Sequence, residues 1–244
     1  MIRSGLAVVT LVGATTVGSA AAAPTDETAR SFTTGLAIPW AVGGERIGPD
    51  GRREMARARW PDFPVEAIRL WDTRTAWLNL EPRDGRWFWT TLDAHVAKAE
   101  SEGVKDITLV LAGTPRWAAS RVSEQDAPWL GPGSASAPTD PQQWSDYVRA
   151  VVTRYAGRIH AYEIGNEPNL PTFWNGSRRQ YADLVSRAVR EITQIDPDAT
   201  IVVNAGLIRR DSDIPRVASW LTPIAQVPGI DIISVHLYPR RSAI

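Results

Sequence analysis

The sequence has no cysteine among its 244 residues, and its 27 Lys and Arg residues are balanced by 27 Asp and Glu residues. Without cysteine, the chain has neither disulfide bonds nor thiolate metal ligands. A formal net charge of zero gives no electrostatic reason to expect nucleic acid or an anionic membrane as a partner. The three histidines lie far apart in the sequence, so neither a metal site nor another cofactor is predicted.

Long apolar runs are also missing beyond the first residues, so no transmembrane helix is predicted. The N-terminus carries one short apolar stretch, from Leu6 to Val17, preceded by Arg3 and followed by the Ala-rich run Ser19 to Ala23. This order of basic, apolar and small-residue segments predicts a secretory signal peptide over residues 1–23. A membrane anchor is the alternative, but the apolar run is short for a bilayer. We therefore expect a secreted protein, in the extracellular space or in the periplasm or cell wall.

Residues 24–244 are expected to form one domain, whose core must be stabilised by apolar burial because disulfide bonds are excluded. Short apolar runs alternate there with helical periods, which is typical of a parallel α/β fold. Six strands are predicted, at Leu36–Ile38, Ala67–Trp71, Ile107–Leu111, Ala161–Ile164, Ile201–Val203 and Ile230–Val235. Helices are predicted where apolar residues recur at helical spacing, at Leu92–Ala99, Trp144–Tyr155, Tyr181–Ile195 with Ser177 as its cap, and Ile214–Ile224.

Two long segments between these elements are predicted to be loops. Gly43–Pro64 is rich in Arg and Gly, and Ala118–Asp140 is rich in Ser, Ala, Pro and Gly. The second loop is too long for an ordinary βα connection and lies where an α/β barrel has its active-site loops. A doubly wound sheet would show the same alternation of elements, but no Gly-rich phosphate-binding fingerprint follows the first strand.

The segment Tyr162–Asn169 places an Asn-Glu pair directly after a predicted buried strand. In α/β barrels the catalytic residues lie at the C-terminal ends of the strands. Glu167 is therefore a candidate catalytic carboxylate, with Asn166 beside it and Asn169 as a further cleft residue. A surface Glu in a turn is the alternative interpretation.

Two other predicted strands direct polar residues toward the same region. Alternation places Ser234, His236 and Tyr238 on one face of the sixth strand, toward the barrel mouth, and its apolar residues on the other face, toward helices. Arg69 lies in the second strand between apolar residues, where an inward-facing guanidinium requires a partner. The alternatives are a hydrogen-bonded structural His and an Arg that reaches solvent.

Tryptophan is abundant, with 11 residues, and four of them lie at or beyond the ends of predicted strands. A flat indole face packs well on the C–H face of a pyranose. Trp71, Trp77, Trp117 and Trp174 are therefore candidate sugar platforms, together with Asn169 as a candidate substrate-binding residue. Each Trp is about equally well explained as an apolar anchor for its loop.

Several motifs occur in order along the chain: Ile68–Asp72, Trp77–Pro82, Gly113–Ala118, the Asn-Glu-Pro segment and the His-x-Tyr at 236–238. Together they resemble the clan A glycoside hydrolases of the family 39 or family 5 type, such as β-xylosidases and cellulase-like enzymes. The resemblance covers most of residues 24–244. It implies a (β/α)8 TIM barrel and hydrolysis of O-glycosidic bonds in a poly- or oligosaccharide by a retaining two-carboxylate mechanism.

The resemblance also implies the roles of the site residues. Glu167 would be the acid/base, which protonates the leaving oxygen and then deprotonates a water. Asn166, Arg69, His236 and Tyr238 would support it, with Asn166 bonded to a sugar hydroxyl and Arg69 to the nucleophilic carboxylate.

The clan places its nucleophile, a Glu, at the end of the seventh strand. Six strands are predicted here and no Asp or Glu follows Asp231, so we expect a C-terminally incomplete barrel of about six βα units that lacks the nucleophile. The activity of this chain is accordingly expected to be impaired. A secreted carbohydrate-binding remnant without catalysis is the alternative, and a secreted esterase is disfavoured because no Gly-x-Ser-x-Gly motif occurs.

Overall fold

The computed structural model describes residues 35–37, 44–47, 53–56, 60–122 and 126–238. The predicted signal peptide, residues 1–23, lies outside these ranges.

Six parallel strands form the main sheet of the protein. They are β1 (Gly35–Leu36), β4 (Ala67–Leu70), β5 (Asp106–Leu111), β6 (Ala161–Ile164), β7 (Thr200–Ile208) and β8 (Ile232–Leu237), and they are neighbours in that order. Each strand therefore pairs with the next strand of the sheet along the chain, and all five pairings are parallel. This sequential order is the one found in α/β barrels, whereas a doubly wound sheet reverses its order at a switch point.

Contacts on the inner face show that the sheet is curled. The Ser234 hydroxyl on β8 donates to Glu163 Oε1 on β6 at 2.7 Å, and Arg69 Nε on β4 donates to Glu163 Oε2 at 2.5 Å. Neighbouring strands lie about 4.8 Å apart, so strands two places apart in a flat sheet would be about 10 Å apart. The sheet thus curves inward as in a (β/α)8 barrel, and the predicted fold class is confirmed for the six parallel strands and the helices that alternate with them in the described ranges.

The outer face of the sheet carries the apolar core. Alternation along the strands directs Ile68, Leu109, Tyr162 and Val203 outward, and all four are buried. They are covered by helices α2 (Thr90–Ser101), α3 (Pro141–Tyr155), α4 (Arg178–Ile195) and α5 (Ile214–Ile224). On β8, however, the outward-facing Ile233 and Leu237 are exposed, so the expected helix packing against this face is absent from the described ranges.

Local sequence explains where the helices begin. Asp140 caps α3 by accepting from the Gln142 N–H at 2.8 Å, and Pro141 occupies the first helical position. Ser177 and Gln180 form a reciprocal capping box at the start of α4, which confirms the predicted cap. Within the described ranges, no helix is both long enough and apolar enough to cross a bilayer.

Several predicted boundaries were wrong. Gly43–Pro64 is not only a loop, because β2 (Gly44–Ile47) and β3 (Arg53–Ala56) pair there as an antiparallel hairpin. The prediction missed a one-turn helix, α1 (Trp77–Leu80). Strand β7 extends to Ile208 past an irregularity between Asn204 and Gly206, where a prediction from apolar runs stops at the first polar residue.

Candidate active site

Glu167 follows β6 at the C-terminal end of the sheet, as predicted, and is held in an unusual backbone conformation. Its φ is 44°, in the left-handed region that side chains other than Gly rarely adopt. Its N–H donates to Asn204 Oδ1 on β7 at 2.8 Å, and the residue is only 8% exposed. Strain of this kind persists where surrounding contacts impose it, and it clusters at functional sites.

Asn169 fastens the same segment to β7. Its Nδ2 donates to the Leu207 carbonyl and its Oδ1 accepts from the Leu207 N–H, both at 2.9 Å. The side chain fits only because Gly206 has no Cβ, since a Cβ there would lie 2.5 Å from Asn169 Oδ1. Asn169 is buried and both ends of its amide are bonded to Leu207, so this residue positions the loop. Its amide has no free end for the substrate contact that was predicted.

Gly165 allows β6 to lie close to α4. The Tyr181 hydroxyl lies 2.8 Å from the carbonyl oxygens of Ile164 and Asn204 and shares its proton between them. A Cβ on Gly165 would approach that hydroxyl to 2.3 Å, and its φ of 75° also favours glycine. The turn that carries Glu167 is therefore fixed from the helix side as well.

His236 lies against the Glu167 carboxylate, as the alternation of β8 predicted. Its Nδ1 is 2.8 Å from Glu167 Oε1, and both side chains are largely buried. Tyr238 lies edge-on to His236, with ring centroids 6.4 Å apart. Partial burial raises the pKa of the Tyr238 hydroxyl, and the nearby Glu167 carboxylate raises it further.

Arg69 faces inward, as predicted, but its partner is a residue that the sequence interpretation missed. Its Nε donates to Glu163 Oε2 at 2.5 Å and its Nη2 donates to Asn166 Oδ1 at 3.0 Å. Glu163 is also bonded by Ser234 and lies in the middle of β6. Its position between the buried residues Tyr162 and Ile164 was the available signal, because alternation puts Glu163 on the inner face of the barrel.

Glu163 is a buried carboxylate whose charge is balanced within the site. Burial would raise its pKa, but the Arg69 charge and the hydrogen bonds from Arg69 and Ser234 outweigh burial and lower it. Glu163 is therefore ionised at neutral pH and forms a buried ion pair with Arg69.

An aromatic cluster lies at the C-terminal edge of the sheet, in the segments that follow β4, β5 and β6. Trp71 lies edge-on to Phe173 at 5.9 Å, and Trp129 lies edge-on to Phe173 at 6.1 Å. Trp129 belongs to the predicted long loop, is exposed, and donates from its Nε1 to Asp72 Oδ1 at 3.0 Å. The pKa of Asp72 is raised overall. Desolvation of the carboxylate raises it, and so does the Glu167 charge, while the Trp129 hydrogen bond and the Arg69 charge oppose the rise. Asp72 follows β4 and Glu167 follows β6, so Asp72 and the cluster lie at the same C-terminal edge of the sheet as Glu167.

The other predicted platforms serve the core. Trp77 is fully buried, stacks on Tyr147 at 5.1 Å and has no face to offer a sugar. Trp117 is half-buried and donates to the Glu81 carbonyl at 2.8 Å. Trp174 packs edge-on against Tyr181 at 5.5 Å beside the loop that carries Glu167. Among the four predicted Trp residues, the structure brings only Trp71 to the aromatic cluster.

Two other buried ionisable side chains, Glu81 and His95, lie away from Glu167 and maintain local structure. Glu81 accepts from Trp77 Nε1 and from the Gly85 N–H, so both of its oxygens hold local structure. His95 is buried on α2 without charge, because desolvation lowers its pKa to about 4. No group of three or more His, Asp or Glu side chains in the described ranges has the arrangement of a metal site.

Comparisons with known proteins agree with this architecture, although no family model matches the chain. A β-xylosidase from Geobacillus stearothermophilus is 28% identical over 124 residues, which are 45% of this chain and 23% of that protein. The crystal structure of a GH39 enzyme from Xanthomonas axonopodis pv. citri superposes with a TM-score of 0.52 and 25% identity, over 69% of this chain and 34% of that one.

A monomeric β-xylosidase from Caulobacter crescentus CB15 is also similar, with a TM-score of 0.49 and 24% identity over 64% of this chain and 32% of that one. The chain thus spans between about a quarter and a third of the length of these relatives. The Geobacillus β-xylosidase and the Xanthomonas GH39 enzyme confirm the resemblance to clan A glycoside hydrolases.

Proposed function

We propose that this protein acts on a poly- or oligosaccharide and hydrolyses O-glycosidic bonds, with Glu167 as the acid/base. The observation that carries the proposal is the Glu167 carboxylate itself. It lies at the C-terminal end of a barrel strand, in a strained turn fixed by β7, with its Oε1 bonded to His236. In the proposed reaction, Glu167 gives its proton to the glycosidic oxygen as the C–O bond breaks, and later removes a proton from the attacking water.

A retaining mechanism needs a second carboxylate as the nucleophile. Among the described residues, Glu163 and Asp72 lie near Glu167, but Glu163 is bonded by Arg69 and Ser234 and Asp72 by Trp129. We do not assign the nucleophile to either of them. Saccharide binding without turnover is therefore our second candidate function. It is favoured because the hydrogen bonds of Glu163 and Asp72 already occupy both carboxylates.

The cleft suggests where the saccharide would bind. We propose that a sugar ring packs against the aromatic cluster of Trp71, Trp129 and Phe173, because these rings lie at the same C-terminal edge of the sheet as Glu167. Asn166 would orient a sugar hydroxyl through its Nδ2, since its Oδ1 is held by Arg69. We also propose that the protein is exported by residues 1–23, which N-terminal sequencing of protein recovered from the culture medium would test.

The decisive experiment compares Glu167→Gln with the unchanged protein on two classes of β-glycoside. A general acid contributes about 10²- to 10⁴-fold to the rate when the leaving group is poor. Glu167→Gln should therefore lower the hydrolysis of alkyl glycosides by that factor and affect dinitrophenyl glycosides less at the glycosylation step, because their leaving group needs no proton.

Glu102→Gln is the matched control, since this carboxylate is exposed at the end of α2 and pairs with Lys98. Equal turnover by the unchanged protein and by Glu167→Gln would contradict the acid/base role. Saccharide binding by calorimetry without any product would support the second candidate instead.

A further inference from the structure

Asn204 connects two buried glutamates, Glu163 and Glu167, through its side-chain amide. It is fully buried on the inner face of β7. Its Oδ1 accepts from the Glu167 N–H at 2.8 Å. Its Nδ2 faces Ser234 Oγ at 2.9 Å, His236 Nε2 at 3.2 Å and Glu163 Oε1 at 3.3 Å.

The orientation of the Asn204 amide follows from its partners. A backbone N–H can only donate, so the atom that faces the Glu167 N–H must be the amide oxygen. The atom that faces His236 is then the NH₂ group, which can only donate. The Ser234 hydroxyl fits the same direction, because it donates to Glu163 Oε1 at 2.7 Å and its lone pair remains for Asn204.

This orientation determines which nitrogen of His236 carries the proton. A protonated Nε2 would point its hydrogen at the hydrogens of the Asn204 amide, so Nε2 must be the bare acceptor. The proton of the neutral ring is then on Nδ1, which lies 2.8 Å from Glu167 Oε1. We propose that Asn204 is a positioning residue that holds His236 as the neutral Nδ1–H tautomer and so directs the His236 proton at Glu167.

Three charged groups lie near His236. Glu167 and Glu163 are carboxylates close to the ring, and Arg69 neutralises Glu163 through its Nε. Tyr238 packs against the ring at right angles. The Asn204 amide keeps its donor toward His236, since turning it over would leave the Glu167 N–H unbonded.

This tautomer also has a consequence for catalysis, and that consequence rests on the proposed function. With the Nδ1–H bonded to Oε1, protonation of Glu167 must take place on the other oxygen, Oε2. The proton to be given to a glycosidic oxygen is thus confined to one oxygen. Asn204 would contribute to acid catalysis without touching the substrate.

The test uses the full chain with uniform ¹⁵N labelling and long-range ¹H–¹⁵N correlation spectra of the histidine rings, recorded without substrate at neutral pH. The chain has three histidines, and the other two provide internal references. His160 Nδ1 accepts from the Ile107 N–H at 3.2 Å, and His95 Nδ1 has no partner while its ring bonds the Thr73 backbone. Both should show the Nε2–H pattern, whereas His236 alone should show the Nδ1–H pattern.

Asn204→Asp is the informative variant. It retains an oxygen for the Glu167 N–H but replaces the donor that faces His236 with an acceptor, so His236 should gain a proton on Nε2. Asn204→Ala removes the donor without adding charge and should likewise abolish the pure Nδ1–H pattern. Ser234→Ala is the control, because it leaves the contact between Asn204 and His236 in place and should preserve the pattern.

An Nε2–H or imidazolium pattern for His236 in the unchanged protein would overturn the proposal, as would an unchanged pattern in Asn204→Asp. Because the spectra need no turnover, they test the tautomer even if the chain hydrolyses no glycoside.

Discussion

The buried pair of Arg69 and Glu163 permits a direct test of how the barrel interior is stabilised. The perturbation is a double-mutant cycle that combines Arg69→Met with Glu163→Gln. Methionine fills most of the arginine volume without charge, and glutamine retains the shape of the carboxylate. In the cleft, the Glu163 side chain is 3% exposed and the Arg69 side chain is 13% exposed, so solvent screens the pair only weakly.

The expected magnitude follows from what each substitution leaves behind. Arg69→Met strands an ionised carboxylate that loses its 2.5 Å bond from Arg69, and it also removes the 3.0 Å bond to Asn166. Leaving one member of a buried pair without its partner costs about 3–5 kcal/mol of the free energy of unfolding. The double variant removes both charges of the pair and leaves neither without its partner, so its loss should fall short of the sum of the single losses by about 2 kcal/mol.

Urea unfolding followed by tryptophan fluorescence measures these free energies on the full chain. The pair Arg158 and Glu100 provides a matched control, because its two hydrogen bonds are both 2.8 Å long but its side chains are 41% and 44% exposed. The corresponding cycle of Arg158→Met and Glu100→Gln should give a coupling of about 0.2–1 kcal/mol.

Acid provides a second measurement on the same variants. The pKa of Glu163 is lowered from its ordinary value of 4.5, so its contribution to stability is fully present above pH 4.5 and is lost as the pH falls toward the folded-state pKa. The difference in stability between the unchanged protein and Glu163→Gln should therefore narrow below pH 4.5.

The double-mutant cycle would refute the argument if each single variant of Arg69 and Glu163 lost less than about 1 kcal/mol of the free energy of unfolding. Losses that add within about 0.5 kcal/mol in the double variant would refute it as well.

Two further substitutions test the turn and the cleft. Gly165→Ala should reduce the free energy of unfolding by about 2–5 kcal/mol, because its Cβ would meet the Tyr181 hydroxyl at 2.3 Å in a left-handed backbone. Gly157 has a φ of 71° and open space around it, so Gly157→Ala should cost only about 1–2 kcal/mol. Equal losses in the two variants would show that the contact with Tyr181 is unimportant. Trp129→Ala should weaken saccharide binding about fivefold in calorimetry, because covering about 50 Å² of indole face contributes about 1 kcal/mol. The exposed Phe88→Ala should leave the affinity unchanged, and a similar loss in both variants would argue against the aromatic cluster as a binding surface.

The sequence predicted the scaffold well because buried parallel strands and capped helices have strong local patterns. Strand β6 was predicted at its observed bounds, and Ser177 was predicted as the cap that it is. The hairpin of β2 and β3 was missed because its Arg- and Gly-rich sequence carries no apolar run. Trp77 was misassigned because nothing in its neighbours along the chain shows that it stacks on Tyr147, a residue of α3.

The site was only partly predictable for a related reason. Glu167, His236 and Arg69 stand out because strand position and alternation place them at the barrel mouth. Asn204 acquires its importance from partners on the two adjacent strands. Glu163 acquires it from Arg69 and Ser234, which lie two strands away and reach it only because the sheet curls. Sequence position alone therefore identified the strand ends, and the network beneath them required the structure.

The attachment of Glu167 to β7 separates two properties that an evolving protein can alter. Glu167 is held by the barrel wall, through the Asn204 bond to its N–H and through the two hydrogen bonds between Asn169 and Leu207. Trp129, in contrast, is carried by the long segment between β5 and α3. Changes in that segment can therefore alter the aromatic surface while leaving the hydrogen bonds around Glu167 intact. Under the proposed function, ligand preference and reactivity could then diversify independently.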